Sequence, residues 1–100
     1  METEAGKRAS ALLLQIVKEL VDDPDRAKVA TVYGPKGKTI VLTATAAPSD
    51  IGKVIGKRGK TADMLRYLLE MIAAKHRIRL ILEIDDGREG QARHFAQPTA

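Results

Sequence analysis

Cysteine and tryptophan are absent from this 100-residue chain, and only Tyr33, Tyr67 and Phe95 are aromatic. Without cysteine there is neither a disulfide framework nor a cysteine-based zinc site. The longest apolar runs fall far short of the roughly 20 residues that a membrane span requires. The N-terminal residues also lack the basic and then apolar order of a secretory signal. These absences predict a cytoplasmic protein with no membrane anchor.

Catalytic and metal-binding patterns are equally scarce. His76 and His94 are the only histidines, and no carboxylate pair lies near either at ligand spacing. The run Gly59-Lys60-Thr61 imitates the end of a phosphate-binding P-loop, but Val54 stands where that motif requires its first glycine. The sequence therefore predicts a protein that is not an enzyme and that holds no metal or cofactor.

Positive charge is concentrated in the middle of the chain. The whole chain has a net charge of +4, whereas the stretch from 26 to 84 carries twelve Lys and Arg residues against four acidic ones. Residues 51 to 62 contain four of these bases and no acid. A local field of one sign raises the capture rate of a polyanion. This pattern favours a nucleic-acid partner.

Hydrophobic periodicity indicates one small domain. A 3.6-residue period predicts an amphipathic helix at 9–21, and alternation predicts strands at 28–33, 39–46 and 78–84. Pro48-Ser49-Asp50 can cap a short helix that Gly56 ends, and a longer helix runs from about 60 to 75. In the predicted organisation, residues 1–8 are a flexible N-terminus, 9–85 the folded domain and 86–100 a loose tail.

This order of elements predicts an α+β fold with two layers. The first two strands form a β-hairpin through the turn at 34–38. The connection from the second strand to the third contains two helices, which is long enough for those strands to run parallel. We therefore expect a three-stranded mixed sheet with three helices packed on one face.

The segment from 51 to 61 carries the chemistry. It contains the turn Gly56-Lys57-Arg58-Gly59, in which glycines allow close approach of another backbone and two cations occupy the tip. An apolar stretch precedes the turn, and the positive end of a helix follows it. A single strand of RNA has a matching division between phosphates and base faces. The predicted RNA-binding residues are Ile51, Gly52, Lys53, Val54, Ile55, Gly56, Lys57, Arg58, Gly59 and Lys60.

In detail, the amides from Lys57 to Lys60 are expected to meet phosphate oxygens. The bases are expected to lie over the apolar residues before the turn and over the near side of the second strand. A clamp of this kind holds about four nucleotides.

The run Ile51-Gly52-Lys53-Val54-Ile55-Gly56-Lys57-Arg58-Gly59-Lys60-Thr61 resembles the signature of the KH domain. Over residues 9 to 85 the chain is similar to the type II arrangement of that family, and most of all to its small stand-alone bacterial members. The resemblance implies single-stranded RNA binding and an RNA-chaperone role. It also implies pairing with itself or with a larger KH-containing protein, and in some members a link to cell shape and cell-wall growth.

Two other interpretations stay open. The glycines alone would fit a plain helix-turn-helix junction, although cations between them add nothing to such a turn. The alternative function is a protein-interaction module in which RNA binding is incidental. Its surface would be the row Met64, Leu68 and Met71, because the apolar arc of the longer helix spans about 200° where one core face requires roughly 100°. This row predicts a dimer interface.

Overall fold

Residues 3–86 and the backbone of residues 92–94 are described by a computed structural model. The helices are α1 (Glu4–Leu20), α2 (Ile51–Ile55) and α3 (Lys60–His76), and the strands are β1 (Lys28–Tyr33), β2 (Thr39–Thr45), β3 (Arg79–Asp85) and β4 (Ala92–His94). Short 3₁₀ turns lie at Pro24–Arg26, Pro35–Gly37 and Lys57–Gly59. Within the described part of the chain, no helix is long and apolar enough to cross a membrane.

One mixed sheet with the order β1-β2-β3-β4 forms the first layer. β1 and β2 pair antiparallel as a hairpin, and β2 and β3 pair parallel, with Thr39 opposite Arg79 and Ala44 opposite Ile84. The parallel pair confirms that the two-helix connection is a crossover. Because β2 and β3 run in the same direction, their carboxyl ends lie at the same end of the sheet. α2 and the Gly56–Gly59 turn follow β2 at this end.

The helices cover one face of the sheet, as the α+β fold class requires. α1 packs on β1 and β2, and α3 packs on β3. The core consists of alternate strand residues and one stripe of each long helix: Ala9, Leu13, Val17, Ile40, Leu42, Ala44, Ala62, Leu65, Leu69, Ala73, Leu80, Leu82 and Ile84. A core that runs continuously from α1 to α3 holds α2 and the turn against a rigid base.

α1 begins five residues earlier than its hydrophobic period indicates. The side chain of Thr3 accepts a hydrogen bond from the Gly6 amide at 3.1 Å and so caps the helix at Glu4. In the first turn, Arg8 pairs with Glu4 at 3.2 Å. The expectation of a flexible segment over residues 1–8 was therefore wrong from Thr3 onward, because a cap and an ion pair extend the helix where apolar residues are few.

The sheet has four strands, whereas the sequence predicted three. Residues 92–94 form β4, which pairs antiparallel with β3 and places Arg93 opposite Ile84. This part of the predicted loose tail is thus a strand, formed by backbone hydrogen bonds that a three-residue run without periodicity does not reveal. The rest of the predicted tail, residues 87–91 and 95–100, lies outside the described residues.

Candidate nucleic-acid interface

The turn between α2 and α3 depends on glycine at its first position. Gly56 has φ +80° and ψ 170°, a backbone conformation that residues with a side chain rarely adopt. A Cβ atom added there would collide with the Thr61 side chain and lie 2.6 Å from the Thr61 amide nitrogen. Gly59 ends the turn in the left-handed conformation, with φ +76°, and opens α3. The glycine spacing is therefore a requirement of this tight reversal.

Both cations at the tip of the turn are exposed to solvent. Arg58 has φ +58°, which is uncommon for a residue with a Cβ atom. The Gly59 amide donates to the Gly56 carbonyl at 3.0 Å, and the Lys60 amide donates to the Lys57 carbonyl. Of the four amides expected to meet phosphate, two are thus engaged inside the turn. The amides of Lys57 and Arg58 open the 3₁₀ turn and have no acceptor within it.

The N-terminus of α3 follows directly, and no side chain caps it. Its first-turn acid, Asp63, faces the Arg66 guanidinium at 3.8 Å, while Lys60 is exposed at the first helical position. A 17-residue helix places a partial positive charge at this end. Two amides with no acceptor in the turn, three exposed cations and the start of a helix therefore lie within one four-residue segment, Lys57 to Lys60.

Gly52 is the second residue of the five-residue helix α2 and is exposed to solvent. Gly52 differs from Gly56 in its surroundings. A Cβ atom added at Gly52 would meet no atom within 4 Å, whereas one added at Gly56 would collide with Thr61. No packing within the described structure requires a glycine there. The missing side chain leaves the backbone of α2 open to a ligand that approaches closely.

The apolar residues of the predicted site divide between surface and core. Ile51 and Ile55 are half-buried and border the turn, whereas Val54 is fully buried. Val54 therefore supports the surface from beneath and cannot contact a base directly. The helix-facing side of β2 is also inaccessible, since Ile40, Leu42 and Ala44 are fully buried. Bases therefore cannot contact these helix-facing side chains directly, because β2 is an internal strand covered by helices on this face.

Lys53 is held by two carboxylates of the protein itself. Its Nζ lies 3.3 Å from Asp50 Oδ1 and 3.4 Å from Asp22 Oδ2. These contacts, the one with Asp50 first, raise the pKa of the Lys53 ammonium. Lys53 is therefore less available to a phosphate than Lys57 and Arg58, and its first effect is to tie α2 to the end of α1.

Asp50 is the buried centre of this connection. Although it precedes α2, its side chain does not cap that helix, which corrects the expectation from the sequence. Instead, its Oδ2 accepts a hydrogen bond from the backbone amide of Asp23 at 3.0 Å. Burial raises the pKa of the Asp50 carboxyl, but the hydrogen bonds from Asp23 and Lys53 outweigh it and leave that pKa below its ordinary value.

Replacing Asp50 by alanine is expected to lower the thermal unfolding midpoint by several degrees, because the Asp23 amide and the Lys53 ammonium lose their buried acceptor. A carboxyl with a lowered pKa stabilises the fold above its unfolded pKa, about 3.9 for aspartate, and that stabilisation is lost as the pH falls through the folded value. Thermal melts from neutral pH to about pH 3 check both points.

Asp25 is an exposed acid close to this connection and provides the matched control. Asp25→Asn should leave the melting midpoint unchanged. Asp50→Asn should make the melting midpoint less dependent on pH in the acidic range. If Asp50→Ala melts together with the Asp25→Asn control, the connection does not contribute to stability.

The family follows from a comparison with known proteins. A family model described as the KH domain of KhpA and KhpB matches residues 10–84, which is most of the chain. The chain belongs to the KhpA/KhpB family of KH domains. No solved structure matches it significantly.

Curated relatives of this KH domain carry the name RNA-binding protein KhpA. The relative from Caldanaerobacter subterraneus subsp. tengcongensis is 41% identical over 73 residues, which cover 73% of this chain and 95% of the relative. The relative from Clostridium acetobutylicum is 42% identical over the same shares of the two chains. The one from Aquifex aeolicus is 43% identical over 67 residues, which cover 67% of this chain and 82% of the relative.

Sequence reasoning missed the contribution of Asp50 and Asp22 to this KH domain. A signal for Asp50 is present, since it is the only acidic residue between 26 and 62. Its main partner, the Asp23 amide, lies 27 residues away in the chain. No local pattern contains that pairing, so only the folded chain reveals it.

The outer face of α3 presents apolar side chains to solvent. Met64 is 70% exposed and Met71 is 65% exposed, whereas Leu68 between them is half-buried. Tyr67, which the sequence did not single out, is 57% exposed, and the Arg66 guanidinium lies over its ring at 4.8 Å. Among the described residues, no group of three or more metal-ligating side chains lies together.

Proposed function

We propose that this protein binds single-stranded RNA through the Gly56–Gly59 turn and the adjoining surface of α2. The backbone amides of the turn and the cations Lys57, Arg58 and Lys60 would hold the sugar-phosphate backbone of about four nucleotides. Ile51 and Ile55 would border the bases. The proposal draws on the name RNA-binding protein that its KhpA relatives carry.

The observation that carries this proposal is the contrast between two glycines. Gly56 is required by the fold, whereas Gly52 leaves open space above the α2 backbone that no packing within the described structure uses. A glycine with open space above it allows a ligand to approach the helix backbone closely. The two exposed cations, Lys57 and Arg58, follow five and six residues later in the turn after α2.

Weak, reversible binding follows from the small number of contacts. Two free amides and a few exposed cations face the strand, and the bordering residues Ile51 and Ile55 offer no aromatic ring for stacking. An RNA-chaperone or post-transcriptional regulatory role in the cytoplasm fits such affinity. The proposed link to cell shape and cell-wall growth rests on the family resemblance alone.

Unpaired RNA is expected to bind more tightly than a perfect duplex of the same sequence, because the surface must reach unstacked bases and a duplex hides them. Fluorescence anisotropy with a labelled single strand, competed by the unlabelled strand or by the matching hairpin, measures this preference. Equal competition by the hairpin would mean that binding is charge attraction alone.

A second candidate function is protein interaction through α3. The exposed row formed by Met64 and Met71, with Leu68 between them, offers an apolar surface to a second copy of the chain or to a larger KH-containing protein. RNA binding would then be incidental, or it would be carried by the assembled pair. The two functions are separable by mutation because the row and the Gly56–Gly59 turn share no residue.

A further inference from the structure

The end of the domain opposite the Gly56–Gly59 turn gathers cations from three segments. α3 runs away from the turn for 17 residues, about 25 Å at 1.5 Å per residue. At its far end the β1–β2 turn meets the start of β3, where the Arg79 amide donates to the Lys38 carbonyl at 2.8 Å. The exposed basic residues at this far end are Lys36, Lys38, Lys75, Arg77 and Arg79.

This far basic end contains no acid in its own segments, residues 34–38 and 75–79. None of its five cations makes an ion pair within the described part of the chain. The start of α1 lies near it, since a Cβ atom added at Gly6 would lie 2.9 Å from the Tyr33 ring. Glu4, the acid in the first turn of α1, is paired with Arg8. The far basic end is therefore less neutralised than the proposed RNA site, where Asp22 and Asp50 engage Lys53.

Two of the cations occupy backbone positions that favour glycine. Lys36 has φ +63° and Arg77 has φ +56°. Arg77 stands where helices commonly end on glycine, with its amide bonded to the Ala74 carbonyl and the Ile78 amide bonded to the Ala73 carbonyl. The third described non-glycine residue with positive φ is Arg58, at the tip of the proposed RNA site. At both ends of the domain, a cationic residue thus occupies a backbone position that favours glycine.

Helix stability explains only part of this cluster. Cations at Lys75 and Arg77 interact favourably with the negative end of the α3 dipole. The dipole gives no reason for Lys36 and Lys38 on the hairpin turn, or for Arg79 on β3. These segments carry positive charge but no exposed large apolar side chain. Such a surface is typical of phosphate contacts, whereas protein–protein interfaces have an apolar centre.

We propose that the far basic end binds the phosphodiester backbone of the same RNA, beyond the nucleotides held at the Gly56–Gly59 turn. The inference rests on the proposed RNA binding and adds a second, sequence-independent contact. A strand longer than the clamped segment would gain affinity from this contact, and a strand of about four nucleotides would not.

The test uses a variant that removes charge without straining the chain. In Lys36→Gly with Arg77→Gly, glycine enters two positions whose backbone it favours, so the fold should be retained. Lys38→Gln with Arg79→Gln is the second pair, because their mutual hydrogen bond is between backbone atoms. Lys18→Gln with Arg26→Gln, on exposed positions elsewhere, is the control with the same change in net charge.

Anisotropy is measured with single strands of about 5 and about 20 nucleotides at about 0.1 M salt and above. Each far-end pair should weaken binding of the longer strand at least about threefold and lower its salt slope by about 1.4, which corresponds to two phosphate contacts. Binding of the shorter strand should not change. The control should leave both strands unaffected.

Unchanged binding of the longer strand in both far-end pairs would overturn the inference, and so would an equal loss in the control. Weakened binding of the short strand would also contradict a separate surface. A different result would show that the proposed function is wrong. In that case Lys57→Asp with Arg58→Asp would bind the short strand as tightly as the unmodified chain does, independently of the result for the far-end pairs.

Discussion

The chain with Lys57→Asp and Arg58→Asp is expected to bind single-stranded RNA at least about tenfold more weakly, with its fold intact. Both residues are exposed at the tip of the turn, so no buried contact is lost. Aspartate also tolerates the positive φ of Arg58 better than most residues. The loss arises because two phosphate contacts become repulsive.

Anisotropy titrations at several salt concentrations check this result, and circular dichroism confirms the fold. Loss of two contacts should also make the affinity less dependent on salt. The matched control, Lys18→Asp with Arg26→Asp, has the same charge change on exposed residues away from the turn. If both variants bind as the unmodified chain does, the turn is not the RNA site.

Leu68→Glu is expected to convert a dimer into a folded monomer. Met64 and Met71 on either side of Leu68 are exposed in the single chain, and a row at i, i+4 and i+7 forms one continuous apolar strip on α3. Burying three such side chains from each of two chains contributes several kcal/mol at ~25 cal/mol per Å² before the costs of association. We therefore expect self-association in the micromolar range.

Light scattering at tens of micromolar measures the mass of each variant. Leu12→Glu is the matched control, because Leu12 is a leucine with a 42% exposed side chain on a different helix, α1. It should leave the dimer intact. An unmodified protein that is already monomeric at this concentration would refute the homodimer and assign the row to a different partner.

The sequence predicted those parts of the fold that repeat along the chain. Alternation located β2 and β3, and the length of the connection between them predicted their parallel pairing, since two helices leave room for a crossover. The start of α1 was placed too late because it depends on the Thr3 cap and not on apolar residues. β4 was missed because three residues paired only through their backbone carry no period.

The candidate site shows the same division. The glycines and cations of the turn are local and could be read from their spacing, and Gly56 and Gly59 have the positive φ that this spacing suggests. The states of Lys53 and Val54 could not be read in this way. The ion pairing of Lys53 depends in part on Asp22, which lies 31 positions earlier. The inaccessibility of Val54 depends on its burial beneath the surface. Both are consequences of how α2 packs, which no local pattern records.

The position of Leu68 at the midpoint of α3, with eight residues on either side, has a consequence for symmetry. A two-fold axis through Leu68 and perpendicular to the helix makes the two α3 helices antiparallel, because such an axis reverses their direction. In such a dimer, the far basic end of each protomer would lie at the same end as the Gly56–Gly59 turn of its partner. A strand longer than the clamped nucleotides would then meet cations from both chains without spanning the length of either, so dimer formation would itself raise the affinity for such a strand.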